Sequence, residues 1–254
     1  MILALDVGNT NIVVGCIDNG TIKCTERIRT ETGATSAEYA VKLIDLLRYM
    51  QVEPQQIEGG IISSVVPPVL EALKKAVSSI TGTGCMTVGP GMKTGMNVLI
   101  DDPSTLGADL VVGGVAAIAC YGAPAIIIDM GTATSVTVVD RNKAFRGGAI
   151  IPGINLGLEA LSRGTSLLPG IYVRKPEKCI GTNTADCMRS GAVYGTAAML
   201  DGLITQMEEE LGYPCRHIAT GGLASSIVSC CSHDIVCDDK LLLKGLWTLY
   251  QKNI

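Results

Sequence analysis

The chain has 254 residues, 47% of them hydrophobic, and a formal net charge of −4 from 20 basic and 24 acidic residues. That is apolar material for one large buried core or two ordinary ones, which excludes a disordered chain. Charge without long like-sign runs argues against a nucleic-acid partner, and the Met1–Asp6 start lacks the basic residues and long apolar run of a signal peptide, so a cytoplasmic protein with a small-molecule partner is expected.

Thirty glycines against a single Phe and a single Trp imply close backbone approaches and tight turns. The ten cysteines include no CxxC, and several sit in apolar stretches such as Ala117-Ile118-Ala119-Cys120, so they read as reduced core thiols. Cys230, Cys231 and Cys237 with His233 match no zinc spacing.

In chain order, an apolar strand Ile2–Leu5 ends at Asp6 and a glycine turn, and a second β-rich strand follows. An extended segment near Thr21–Thr30 leads to a helix over Ser36–Met50, with Ser36 as N-cap and Ala40, Leu43, Leu47 and Met50 on one face. A strand at Gly60–Ser64, a helix opening on Pro67-Pro68 and a strand around Met86–Val88 complete a first half. Leu110–Ile128 is uncharged and approaches membrane-span length, but Gly113-Gly114 and Gly122-Ala123-Pro124 break it into a buried helix, a turn and a buried strand, so no membrane association is expected. The second half opens on three strands at 125–129, 134–140 and 144–150. A long helix over Thr184–Leu211, a strand at His217–Thr220 and a last helix at Lys240–Tyr250 follow. The pattern predicts an α/β fold of two related lobes, 1–118 and 119–254, with mixed sheets, flanking helices and a central cleft.

The two halves echo each other. Leu5-Asp6-Val7-Gly8-Asn9-Thr10-Asn11 returns half a chain later as Ile128-Asp129-Met130-Gly131-Thr132-Ala133-Thr134. A strand-end carboxylate followed by a tight loop of exposed N–H groups and hydroxyls can hold Mg²⁺ and phosphate together. Gly8 and Gly131 let the backbone approach the phosphates, Thr10, Asn11, Thr132 and Thr134 are candidate donors, and Asp6 is a candidate for magnesium, directly or through water. An ordinary Asp-Gly hairpin is the alternative for either copy alone.

Gly89-Pro-Gly-Met-Lys-Thr94 is not a P-loop, because Met92 separates Gly91 from Lys93; it reads as a loop bordering a substrate cavity or as a plain surface turn. Gly221-Gly222, after an apolar strand end, offers a ledge for a nucleobase or ribose, or a strand-to-helix turn. Asp109, at the head of an apolar helix, could accept the proton of a substrate hydroxyl or serve as a helix-start cap.

Together these motifs resemble those of type III pantothenate kinases, of the acetate kinase, sugar kinase and actin-like superfamily. The resemblance runs through Asp6–Asn11, Ser63-Ser-Val-Val-Pro-Pro68, Val88–Gly95, Gly107-Ala-Asp109, Asp129–Thr134, Gly147-Gly148 with Pro152-Gly153, and Ala219–Leu223. It implies two ribonuclease-H-like lobes and ATP-dependent (or other nucleoside triphosphate-dependent) phosphorylation of pantothenate in coenzyme A synthesis. By the resemblance, Asp6, Val7, Gly8, Asn9, Thr10, Asn11, Ile12 and Val13 bind ATP phosphates, with Thr132 as a further ATP contact. Asp109 is then the base, with Gly107, Ala108 and the residue at 110 beside the substrate, and Thr184 contacts it too. Asp129 holds a monovalent cation, K⁺ or NH₄⁺, in place of the Mg²⁺ that the local pattern allows. A homodimer is implied, with the substrate site near its interface.

The family pattern continues Gly-Ala-Asp-Arg, whereas this chain has Leu110. Leu supplies neither the fixed charge nor the forked hydrogen bonds of Arg, a loss of roughly 1.5–3 kcal/mol if the bond is charge-assisted. Arg163 is a candidate to compensate. Two further readings stay open on this substitution: a nucleotide-binding paralogue of low or no turnover, akin to transcription accessory factors, and a kinase of another small hydroxy acid.

Overall fold

The computed structural model describes all 254 residues, Met1–Ile254. In chain order they form β1 (Ile2–Val7), β2 (Asn11–Asp18), β3 (Thr21–Arg29), α1 (Ser36–Tyr49), β4 (Gly59–Ser64), α2 (Pro67–Thr81), β5 (Cys85–Thr87), β6 (Asn97–Val98) and α3 (Ala108–Cys120). The chain continues with β7 (Ala125–Met130), β8 (Ala133–Val139), β9 (Ala144–Pro152), α4 (Ile154–Gly164) and α5 (Thr184–Ser190). A π-helical turn (Gly191–Gly195), α6 (Thr196–Leu211), β10 (Arg216–Thr220), α7 (Ala224–Val228), β11 (Val236–Cys237) and α8 (Leu241–Asn253) complete it.

These elements make two compact units: Met1–Met96 with Asp101–Ala119 and Lys240–Ile254, and Asn97–Ile100 with Cys120–Asp239. Each unit holds one mixed sheet. The first runs β3-β2-β1-β4-β5 and the second β11-β10-β7-β8-β9-β6. In both, a three-strand antiparallel meander is followed by strands that pair in parallel, β1 with β4 and β7 with β10. The repeat in the sequence is thus a repeat of topology.

The units depart from a single cut after residue 118. The C-terminal helix returns to the first unit because one face of that sheet needs a cover. Leu3, Leu5 and Val7 pack with Tyr39, Leu43 and Leu73 of α1 and α2 on one side. Strand alternation turns Ile2 and Ala4 to the other. There Gly15 and Gly59 leave room for Leu243 and Tyr250 of α8, and Gly245 lets α8 press against Val112 of α3. Asn97–Ile100 joins the second unit because β6 pairs with β9.

Two expectations change in detail. The N-cap of α1 is Thr35, not Ser36: the Thr35 hydroxyl accepts the Glu38 N–H at 3.3 Å and the Glu38 carboxylate accepts the Thr35 N–H at 2.7 Å, a reciprocal box set by the spacing of Thr35 and Glu38. The helix expected over Thr184–Leu211 contains the π turn. Its buried residues Met188, Val193, Ala197 and Leu200 show why, since the five-residue step from Met188 to Val193 stays on one face only if the turn there is wider than α. All ten cysteines are free: Cys16 is fully buried, Cys24, Cys85, Cys215, Cys230 and Cys231 pack partly buried against the two cores, and Cys120, Cys179, Cys187 and Cys237 are exposed. No helix is long and apolar enough to cross a membrane.

Candidate active site

The first half of the site lies at the end of β1. Asp6 opposes Val13 on β2 and Ser63 on β4, so the three side chains share the sheet face that carries α8. Val7 pairs with Ile12, leaving Gly8–Asn11 as the turn, which is closed by the Gly8 N–H donating to the Asn11 carbonyl at 3.0 Å. Thr30, just beyond β3, grips the same turn twice: its hydroxyl donates to the Gly8 carbonyl at 2.7 Å and its N–H to the Thr10 carbonyl at 3.0 Å. Asn9, Thr10 and Asn11 are exposed, while Val7 and Ile12 are buried, so the latter two can reach a ligand only through their backbone. The Ser63 hydroxyl, 1% exposed, has no hydrogen-bond partner in the chain.

The second half repeats this at the end of β7. Asp129 opposes Ser135 on β8 and Thr220 on β10, and Met130 pairs with Thr134. Here the turn is Gly131–Ala133, one residue shorter, and closes through the Gly131 N–H to the Ala133 carbonyl at 3.1 Å. A constant offset between the copies therefore slips inside the turn. Thr134, a candidate donor, is 1% exposed within β8 and off the turn, whereas Thr132 is exposed on it. Two glycines press on this turn. Gly153 donates its N–H to the Thr132 carbonyl at 3.1 Å, and a Cβ there would overlap the carbonyls of Gly131 and Thr132. Gly221 has φ +99°, and a Cβ on it would lie 2.5 Å from the Met130 carbonyl oxygen. Gly221 therefore belongs to the packing of the turn itself; Gly222 follows it in the connection to α7.

Asp109 stands in the first turn of α3, half-buried, its carboxylate accepting the Leu110 N–H at 2.8 Å. Burial pushes its carboxyl above the ordinary aspartate range, against the backbone N–H bonds that pull it down. Gly107, Ala108 and Leu110 flank it, half-buried, and the Gly107 carbonyl accepts the Val111 N–H at 3.2 Å to start the helix.

Thr184 is exposed at the start of α5, behind its N-cap Asn183, which accepts the Asp186 N–H. Arg163, in the last turn of α4, is exposed and lies 3.7 Å from Glu159. A groove of about 550 Å³ opens between α4 and the α5–α6 region, lined by Gly157, Leu158 and Leu161 on one side and Met188, Gly191 and Ala192 on the other. Gly89–Thr94 is a loop tied to α8, with Asn253 bonding the Lys93 N–H and carbonyl at 2.9 and 3.0 Å. Sequence reasoning missed Thr30 and the packing roles of Gly153 and Gly221, whose only signal was a Thr after an edge strand and two glycines near strand ends.

Two mixed sheets of one topology, each ending its first strand on a carboxylate and a glycine turn, define the actin-like, sugar-kinase type of ATPase fold. The same fold occurs in the Clostridium difficile activator of 2-hydroxyisocaproyl-CoA dehydratase with bound ADPNP (TM-score 0.55, 14% identity, 98% of this chain and 93% of that one) and in component A of the (R)-2-hydroxyglutaryl-CoA dehydratase of Acidaminococcus fermentans (TM-score 0.58, 14% identity, 98% and 96%). Within this class the sequence is more specific. The family model for type III pantothenate kinase matches residues 2–206. Proteins described as type III pantothenate kinases from Geobacillus sp. (strain WCH70) and Halalkalibacterium halodurans are 42% and 41% identical over 254 residues, covering 100% of this chain and 98% and 100% of theirs. The chain belongs to the type III pantothenate kinase family.

Proposed function

We infer that the protein is a type III pantothenate kinase, transferring the γ-phosphoryl group of ATP to the primary hydroxyl of pantothenate. What carries this reading is the duplicated strand–carboxylate–glycine turn, on two sheets of shared topology, in a chain that matches the family over residues 2–206. The Gly8–Asn11 turn binds ATP phosphates through peptide N–H groups and the Thr10 and Asn11 side chains; Thr132 adds a contact from the second turn, and Gly222 with Gly221 borders the nucleoside.

The donor chemistry around Asp6 fits a magnesium ion held through one carboxylate and several waters, and the orphaned Ser63 hydroxyl beside it is a group that such a water would satisfy. Asp129, next to the Thr220 hydroxyl on β10, offers hard oxygen ligands that fit K⁺ or NH₄⁺. The cations supply charge neutralisation along the phosphates. The chain's own residues position the reactants: Asp109 accepts the proton of the attacking hydroxyl, Gly107, Ala108 and Leu110 form the surrounding wall, and Thr184 binds the acceptor. Leu110 contributes apolar contact only, and Arg163 is the basic residue proposed to supply the missing charge. Exposed Leu156, Leu161 and Ile180 on the second unit, beside the groove, support a homodimer with the acceptor site near its interface.

The test is ATP-dependent formation of phosphopantothenate. Asp109→Asn lowers kcat about 10²–10⁴-fold, the usual range for a lost general base. The acid limb of kcat/KM lies above the ordinary aspartate value of about 3.9, since the base works ionised and burial raises its proton affinity. The sign for stability is opposite. A raised carboxyl stabilises the fold only below its unfolded value and loses that contribution as pH climbs through the folded value, so Asp109→Asn melts no lower than wild type at neutral pH. Full activity in that variant, or no phosphopantothenate from the wild type, rejects the reading.

A further inference from the structure

Thr30 lies nineteen residues beyond Asn11 in the chain, yet it bonds the backbone of the first turn at two carbonyls. We propose that Thr30 is a positioning residue of the kinase reaction: by holding the Gly8 and Thr10 carbonyls it aims the Asn9 and Asn11 peptide N–H groups at the phosphates of ATP.

In a trans peptide plane the carbonyl of one residue and the N–H of the next point in opposite directions. Thr30 takes the Gly8 carbonyl with its hydroxyl at 2.7 Å and the Thr10 carbonyl with its N–H at 3.0 Å. Asn9 and Asn11 N–H groups are thereby turned away from Thr30. A tight hairpin would ordinarily let the N–H of Asn11 bond the carbonyl of Gly8, three residues back. Here the turn is closed by the reverse bond, Gly8 N–H to the Asn11 carbonyl, while the Gly8 carbonyl goes to the threonine. The Gly8 carbonyl is thus directed to the threonine hydroxyl, and the Asn9 and Asn11 N–H groups remain for an anion. The β-methyl of Thr30 has no part in this, so serine serves as well.

This inference rests on the reading of Gly8–Asn11 as the ATP turn, and the test separates the two. Thr30→Val, Thr30→Ser and Asp6→Asn are compared for KM of ATP, KM of pantothenate, kcat, equilibrium binding of a non-hydrolysable ATP analogue and unliganded Tm. Thr30→Val raises KM for ATP and the analogue Kd about tenfold, the worth of one misdirected hydrogen bond to a charged group, with KM for pantothenate unchanged. Thr30→Ser restores both to within about twofold. A Thr30→Val enzyme with wild-type ATP affinity overturns the proposal, as does a Ser variant as impaired as Val, or an equal rise in both KM values. If Asp6→Asn leaves analogue binding intact, the turn is not the ATP site and both readings fall; if Asp6→Asn abolishes binding while Thr30→Val does not alter it, only the role of Thr30 is lost.

Discussion

In the first unit the turn after Asp6 runs through Gly8–Asn11 and is gripped by a threonine hydroxyl from the neighbouring strand; in the second, the turn after Asp129 runs through Gly131–Ala133 and is pressed by the bare backbones of Gly153 and Gly221. The strands feeding both turns share one topology, and their antiparallel registers differ by one residue. The brace differs as well. A hydrogen bond fixes the direction of the first turn's peptides, whereas close packing fixes the second at the atoms that Gly153 and Gly221 touch. A duplicated element can thus keep its backbone while its two copies come to depend on different kinds of residue, and substitutions should sort accordingly.

The largest effect belongs to the packed copy. Ala at Gly221 must adopt φ near +99° and place its methyl 2.5 Å from the Met130 carbonyl; Ala at Gly153 overlaps the backbone of Gly131 and Thr132. Strain with overlap at Gly221, and overlap with two carbonyls at Gly153, each cost about 3 kcal/mol or more, read as a fall in Tm of roughly 6–12 °C. A melt within about 2 °C of wild type would mean that the second turn yields easily and that its glycines are there for another reason.

The braced copy should respond in the opposite sense. A Cβ at Gly8 meets the Asn11 carbonyl at 3.3 Å, tight but without a left-handed backbone to strain it. Gly8→Ala costs about 1 kcal/mol or less in stability, yet under the proposed ATP role of this turn its methyl crowds the phosphates, and KM for ATP rises about tenfold or more. Steady-state kinetics beside a melting curve distinguish this from the Gly221 outcome, in which folded protein is lost first.

How much of this was legible in the sequence follows from where the information sits. The strand–Asp–Gly pattern is local, and both copies occur where they were read, as does Asp109 in the first turn of its helix. The return of α8 to the first sheet is not local: nothing in Leu241–Asn253 names the face it will cover, and only Gly15 and Gly59, more than 180 residues away, hold the space for Leu243 and Tyr250. Thr30 was invisible for the same reason, since a hydroxyl bonding a carbonyl 22 residues back leaves no periodicity. Gly221 was visible as a glycine, read as a ledge for a base or ribose or as a strand-to-helix turn, but its positive φ against Met130 is a demand of the neighbouring strand, and parallel pairing of β10 with β7 is long-range information. The one-residue difference between the turns was hidden because a fixed offset matches Asp6 to Asp129 and Gly8 to Gly131 before the slip occurs.

The smallest effect expected sharpens the comparison most. Gly131 is the echo of Gly8 and sits in the same turn as the atoms that Gly153 and Gly221 press upon. A Cβ on it would nonetheless meet only the Ala133 carbonyl at 3.5 Å and an Asp129 carboxylate oxygen at 3.9 Å, ordinary contacts, and its φ is not left-handed. Gly131→Ala therefore changes stability by less than about 1 kcal/mol, while Gly153→Ala and Gly221→Ala on either side of it do not fold as well. Melting the three variants side by side asks whether the second turn is fragile in itself or only where another backbone touches it. Equal losses in all three would place the constraint in the turn's own conformation, and the contrast between a hydrogen-bonded and a packed copy would then give way to a single glycine requirement common to both.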